Sequence, residues 1–294
     1  MKKLIIILLC LPLITTAQVT TPSYIGITTV QSSACSLLLD SYPSSAIAYS
    51  VRKVNCSYTG YCLKVRRSSD NTESDIGFLS NALDQTALLA FVGAGNGYVS
   101  KIYDQSGNTN DAVQTTTGSQ PILVTSGVVN TSNSLPAIYF DGTDDYMNIS
   151  TPVSASYSWT SFMVQRRVSN SDVSMFLGGS NVLPFTPLLH TDGNVYIGNA
   201  HNTYYYTALV STSTCVLTGL TTGTSTYKIY HNNSDLGSLS PGSSSSAANF
   251  SYIGWQQGYA FSKAYLSESI LYSSDKTSNV SGINSNINSY YSIY

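Results

Sequence analysis

Cys215-Val216-Leu217-Thr218-Gly219-Leu220, then Tyr227-Lys228-Ile229-Tyr230-His231, then the cluster Asn232-Asn233-Ser234-Asp235 form the stretch on which the fold is decided. Each block is short, apolar or alternating, and rich in β-branched and aromatic residues; neither is long enough for a buried helix, and turn-forming residues bound them. The reading is strand, turn, strand, turn. The same pattern extends to both sides. Strand-like runs occur at Ala46 to Val51, Cys62 to Val65, Val99 to Tyr103, Ile122 to Val124, Ala137 to Phe140 and Ser161 to Val164. They continue at Met175 to Leu177, Val195 to Ile197, Tyr204 to Val210, Tyr252 to Trp255 and Ala264 to Tyr272. Gly93 to Gly97, Asp104 to Asn110 and Asp192-Gly193-Asn194 supply turn chemistry between them. Many short strands so connected predict an all-β sandwich or barrel.

Two segments break the pattern. Asp84 can cap a helix over Gln85 to Val92, with Leu88, Leu89 and Phe91 as its apolar face and Gly93 as its stop. In the tail from Lys276 to Ile293, Val280, Ile283, Ile287 and Tyr291 fall at helical spacing, which predicts a closing helix packed on the sheet.

Lys2 and Lys3, the apolar stretch Leu4 to Ile14 and the small residues Thr15, Thr16 and Ala17 read as a secretory signal peptide cleaved after Ala17. The apolar stretch carries Pro12 and falls short of the roughly 20 residues that span a bilayer, and no later segment approaches that length. The expected product is therefore secreted or at the cell surface, without membrane insertion. Charged residues are 10% of the chain and the net charge is −2, so no basic field exists to bind phosphates, and nucleic acid is excluded as a partner class. Cys10 leaves with the signal; Cys35, Cys56, Cys62 and Cys215 remain. An even number in an oxidising compartment predicts two disulfides. Cys56 and Cys62 flank a turn-like run, which suggests Cys56–Cys62 and leaves Cys35–Cys215. The spacing matches no zinc pattern.

Within residues 46 to 150, Ala48-Tyr49-Ser50, Tyr58-Thr59-Gly60, Val65-Arg66-Arg67-Ser68-Ser69-Asp70, Phe91 to Gly97 and above all Tyr103-Asp104-Gln105-Ser106-Gly107-Asn108 resemble the start of the α-L-arabinofuranosidase B catalytic domain. Phe140 to Tyr146 and Ala264 to Tyr272 are similar to the opening and final strands of a laminin-G-like, concanavalin A-like jelly roll. The resemblance implies a two-sheet antiparallel β-sandwich with minor helices. It divides the chain into a signal peptide (1–17), an N-terminal extension (18–45) and one jelly-roll domain (46–294).

It also implies a test of activity. A retaining glycosidase needs two carboxyl groups about 5–5.5 Å apart, a nucleophile and an acid/base. The family's nucleophile is a glutamate in a strand-turn segment; here that position falls on Asp192 in His190-Thr191-Asp192-Gly193-Asn194, one methylene shorter, in a sequence that also reads as a hairpin turn. The family's acid is an aspartate in a glycine-rich loop before the final strands. The corresponding Gly254-Trp255-Gln256-Gln257-Gly258 holds no carboxylate, and glutamine cannot protonate a leaving group. Hydrolysis then requires Glu268 or Asp235 to reach in from elsewhere.

Trp255, Gln256, Gln257, Tyr204, Tyr206 and Asn194 are the expected sugar-binding residues, since aromatic faces stack on sugar rings while amides bond their hydroxyls; Trp159 and Tyr259 could join them. Strand alternation requires at least one of Tyr204-Tyr205-Tyr206 to point into the core. Asp141, Asp144 and Asp145 could ligate Ca²⁺ or could simply form an Asp-rich turn; no other cofactor is expected. Arg66-Arg67 with Asp70 reads as a structural ion pair or as a site for a sugar acid. The expected function is carbohydrate recognition, with a glycan or polysaccharide as partner and without the family's catalytic acid. The alternatives are an α-L-arabinofuranosidase or other glycoside hydrolase using Asp192, and a structural or adhesive surface or phage-type protein.

Overall fold

Trp159–Arg167 and Lys263–Tyr272 are buried along almost their whole length, so both faces of this strand pair must be covered. They lie antiparallel, from Thr160 opposite Tyr272 to Arg167 opposite Ala264. Because side chains alternate, they feed two apolar clusters. Met163, Leu266 and Leu271 face the larger one, which runs through the interior with Phe140, Phe176 and Phe250. Phe162, Val164, Ile270 and Tyr272 face the second.

The computed structural model describes residues 35–179, 185–199, 202–206, 211–223, 226–239 and 248–294, with backbone alone at 185, 198, 199 and 202–206. Three α-helices occur among them: α1 (Leu38–Ser41), α2 (Gln85–Val92) and α3 (Val280–Tyr291). The expected caps of α2 form: the Asp84 carboxylate accepts from the Ala87 amide at 2.9 Å, and Gly93 leaves the helix at φ 67°. α3 places Val280, Ile283, Ile287 and Tyr291 on the second cluster as the spacing required, and Asn284 meets Thr218 of the sheet at 2.9 Å. No described helix is long and apolar enough to cross a membrane.

One curled antiparallel sheet forms the body. Outward from Lys263–Tyr272 it runs one way through Trp159–Arg167, Cys215–Thr222, Thr226–His231 and Ser234–Leu239. The other way it passes Ile138–Asp141, Ile122–Thr125, Gly97–Ile102, Ala112–Val113, Met147–Ala155 and Ala248–Ile253. Curling brings the inner faces together over the larger cluster, which is the all-β sandwich expected from the strand and turn pattern.

The hexapeptide Tyr103 to Asn108 proves architectural. The Asp104 carboxylate accepts from the amides of Ala48, Ser106 and Asn110 at 2.8, 2.9 and 3.1 Å. Gln105 is fully buried; its amide donates to the carbonyls of Ser50 and Arg52 and accepts from the Val54 amide. One turn thereby satisfies the backbone of the strand Ile47–Ser50 and its continuation, groups that would otherwise be orphaned in the interior.

Two expectations change. The disulfide is Cys35–Cys56, with Cα atoms 5.9 Å apart, in place of Cys56–Cys62 and Cys35–Cys215. Cys62, just before the strand Leu63–Arg67, and Cys215, at the start of Cys215–Thr222, face the larger core as free thiols: Cys62 donates to the Ser50 carbonyl, and burial pushes the Cys215 thiol up to about 12 despite the opposing pull of Arg167. A side chain turned into the core cannot reach a partner at the surface, where Cys35 lies. Leu38 and Leu39 of α1 belong to the second cluster, so residues 35–45, assigned above to the extension, pack with the sandwich. The signal segment 1–17 lies outside the described residues.

Candidate functional site

Phe185–Leu189, Val195–Asn199 and Asn202–Tyr206 form a three-stranded antiparallel sheet, and its first turn is His190 to Asn194. Gly193, at φ 83°, supplies the left-handed residue of the turn. Asp192 is half-exposed and heavily engaged: one oxygen accepts from the Asn194 amide at 2.9 Å and faces His190 Nδ1 at 3.0 Å, and the other accepts from the Tyr196 hydroxyl at 2.5 Å. Burial opposes ionisation, but these bonds outweigh it and hold the carboxyl well below the usual carboxylate range. Tyr196 was missed by sequence reasoning. Period-two alternation was its signal, since Val195 and Ile197 are buried and Tyr196 between them points outward.

Trp255–Gln256 and Ala260–Phe261 form a second hairpin. Close backbone approach fixes it: a Cβ at Gly178 would collide with the Trp255 carbonyl, and Gly254, at φ 82°, lies against the Phe140 ring. Trp255 is half-buried in an aromatic cluster, stacked on Phe261 at 5.4 Å with planes 7° apart and 5.0 and 4.6 Å from Tyr146 and Tyr252. Tyr259 at the tip is 53% exposed, and its ring lies 6.3 Å from His190, so the two turns are neighbours. Burial, with Tyr196 and Asp192 nearby, pushes the Tyr259 hydroxyl up.

The remaining expected residues divide. Gln256 is only 2% exposed, and its side-chain amide pairs reciprocally with the Gly179 backbone, donating to the carbonyl at 3.2 Å and accepting from the amide at 3.0 Å. Its polar atoms are taken up inside the fold, which corrects its assignment to sugar binding. Gln257 lies in the turn beside Tyr259, and Asn194 closes the first turn, its carbonyl accepting from the His190 amide. Tyr204 and Tyr206 stand opposite Ile197 and Val195 in register, with side chains outside the described residues. Trp159 is a core residue, edge-on to Phe250.

Neither rescue carboxylate reaches this place. Glu268 is fully buried and doubly bonded to Arg52, at 2.7 and 3.0 Å, with Ser50 and Tyr291 as further donors. Asp235 sits at the surface against Lys228, 3.4 Å away. Asp141, Asp144 and Asp145 bring their oxygens within 4.8 Å of one another. Asp141 accepts from the Thr143 amide and Asp145 from the Asp141 amide, so the turn's own bonds account for the cluster. Burial, then the neighbouring Asp141 and Asp144 charges, push Asp145 up to about 7.

Beneath the first turn lies Arg167, another residue sequence reasoning passed over. It is fully buried, and its guanidinium donates to the backbone carbonyls of Ser211, His190 and Asn170 at 3.0, 3.1 and 3.4 Å, tying three loops together. A strand arginine carries no sequence signal of such a role.

Curled antiparallel sheet, closing helix and packed inner faces define a protein of the β-sandwich class. Residues 38–162 match the family described as alpha-L-arabinofuranosidase B, catalytic. Among solved structures, a mutant of a GH54 α-L-arabinofuranosidase soaked with 4-nitrophenyl α-L-arabinofuranoside superposes with a TM-score of 0.68 at 15% identity, over 85% of this chain and 64% of that one. An arabinofuranosidase complexed with arabinofuranosyl-α-1,2-xylobiose gives 0.62 at 17% identity, over 85% and 64%. The chain therefore spans 64% of the length of these structures. No curated protein matches it. The chain thus has the fold of the arabinofuranosidase B catalytic domain, as its hexapeptide and flanking motifs implied.

Proposed function

We propose that this protein is an exported carbohydrate-recognising module that keeps the arabinofuranosidase fold and has lost hydrolysis. The carrying observation is the Gly254–Gly258 turn: it holds no carboxylate, and Gln256 within it is turned inward onto Gly179. The carboxylates that could substitute are engaged elsewhere, Glu268 by Arg52 and Asp235 by Lys228. Asp192 accepts from a hydroxyl and an amide, the bonding of a turn-forming aspartate. Sugar would lie across the two turns, with Trp255 and Tyr259 offering ring faces and Asn194, Gln257 and His190 offering polar contacts. The Cys35–Cys56 disulfide supports an oxidising, extracytoplasmic location.

The second reading, a glycoside hydrolase with Asp192 as nucleophile, is favoured by the low affinity of that carboxyl for protons. Hydrolysis of an aryl α-L-arabinofuranoside by the protein and by Asp192→Asn, with a glycan-array screen of both, separates the two. No turnover, with array binding lost in Trp255→Ala, is the expected result. Turnover abolished by Asp192→Asn overturns the binding-module reading.

A further inference from the structure

The sequence Arg66-Arg67 resolves into two unlike arginines. Arg67 pairs with Asp70 at the surface, 2.6 Å apart. Arg66, 7% exposed, forms no ion pair among the described residues. Its Nε donates to the Gln120 side chain at 2.6 Å, and its terminal nitrogens donate to the Asn71 side chain at 2.6 Å and the Thr117 carbonyl at 3.2 Å. The guanidinium also lies 4.7 Å from the centre of the Tyr98 ring. A guanidinium has five N–H donors. Three neutral acceptors leave two donors and a whole charge without a counter-ion, an arrangement that is costly to bury.

That charge borders open space. Arg66, Ser68, Asn71, Tyr98, Thr117 and Gly118 line an open cavity of about 380 Å³, and no carboxylate is in its walls. The Asn71 side-chain amide has no acceptor among the described residues, so the lining is rich in donors. In the next cavity along the same two strands the cations are already neutralised, Lys64 by Asp75 at 3.7 Å and Lys101 by Asp111 at 3.2 Å; Glu73, the strand partner of Arg66, lines that second cavity. The uncompensated charge is local to the first.

We propose that this cavity is a separate glycan site that binds the carboxylate of an acidic sugar, a uronate residue of a polysaccharide. A planar carboxylate accepts from two N–H donors at once and supplies the missing counter-charge, while the hydroxyls and amides around it suit the rest of a sugar ring. The site stands on Leu63–Arg67, Gly97–Ile102 and the turn Thr117–Ser119, and shares no residue with the Asp192 and Trp255 turns. It therefore goes beyond the proposed function and does not depend on it.

The test is calorimetric titration with trigalacturonate, with a neutral arabino-oligosaccharide and a sulfated galacto-oligosaccharide as controls. Asn71→Asp is the informative variant: it places a carboxylate where the amide oxygen now meets Arg66, at a residue whose φ of 62° aspartate tolerates, so the fold is kept while the charge is neutralised internally. The expected result is trigalacturonate binding by the wild type, weakened at least tenfold in Asn71→Asp with an unchanged or higher melting temperature, and unchanged in Trp255→Ala. Absence of trigalacturonate binding, undiminished binding by Asn71→Asp, or tighter binding of the sulfated control overturns the proposal.

Discussion

Glu268→Gln tests whether the buried carboxylate under the closing helix is structural. The substitution preserves shape and removes a charge whose side chain is 0% exposed from a partner whose side chain is 7% exposed. Arg52 then loses its counter-charge and one of the two bonds, at 2.7 and 3.0 Å, that carried it, and keeps as neutral acceptors the glutamine oxygen and Asn286 at 3.1 Å, together with the rings of Tyr290 and Tyr291 at 5.1 and 5.6 Å. Breaking a buried pair by removing one partner costs about 3–5 kcal/mol. The surviving acceptors and rings place this case near the lower end, at about 3 kcal/mol. For a domain of this size, about 2–4 °C of melting temperature is lost per kcal/mol, so a fall of roughly 6–12 °C is expected. Urea and thermal unfolding followed by near-ultraviolet circular dichroism measure it. The double variant Arg52→Met/Glu268→Leu is expected to lose less than Glu268→Gln alone, because no unpaired charge is left behind. A loss under about 1 kcal/mol in Glu268→Gln, the size of a surface pair, refutes the reasoning. A variant of unchanged stability that has lost arabinofuranoside hydrolysis would instead make Glu268 an acid.

The pH dependence, a calcium titration and the cysteines test other parts of the same structure. Asp145 titrates at about 7 in the folded protein against about 3.9 in an unfolded chain, so between those values the folded state holds the extra proton; stability is expected to fall as pH rises from about 4 to about 7 and then level off, and Asp145→Asn is expected to remove that slope in thermal melts. Calcium is expected to leave the melts unchanged, and a calcium-induced rise that Asp145→Asn abolishes would make the Asp141 to Asp145 turn an ion site. Cys35→Ser opens a loop of 21 residues and is expected to cost about 3 kcal/mol, while mass spectrometry after alkylation is expected to find Cys62 and Cys215 protected in the native state and reactive once unfolded; retained stability in Cys35→Ser would refute the first and native alkylation the second.

What depends on neighbours along the chain was legible before folding was considered. Alternation and turn residues specified an all-β protein, Asp84 and Gly93 bounded α2, and the spacing of Val280, Ile283, Ile287 and Tyr291 specified the face of α3. Asp192-Gly193-Asn194 read as a turn and is one. Tertiary structure alone decided the pairing of groups far apart in the chain. Cys35 joins Cys56 because Cys62 and Cys215 face the core, and which face a strand residue takes depends on register. The hexapeptide that identifies the fold bonds the backbone of a strand more than fifty residues away, so its role was invisible in its own sequence. Gln256 is occupied by Gly179, Glu268 by Arg52, and Arg66 by no counter-ion among the described residues. Side-chain chemistry is fixed by residue type, but whether it is available to a ligand depends on the partners that folding supplies.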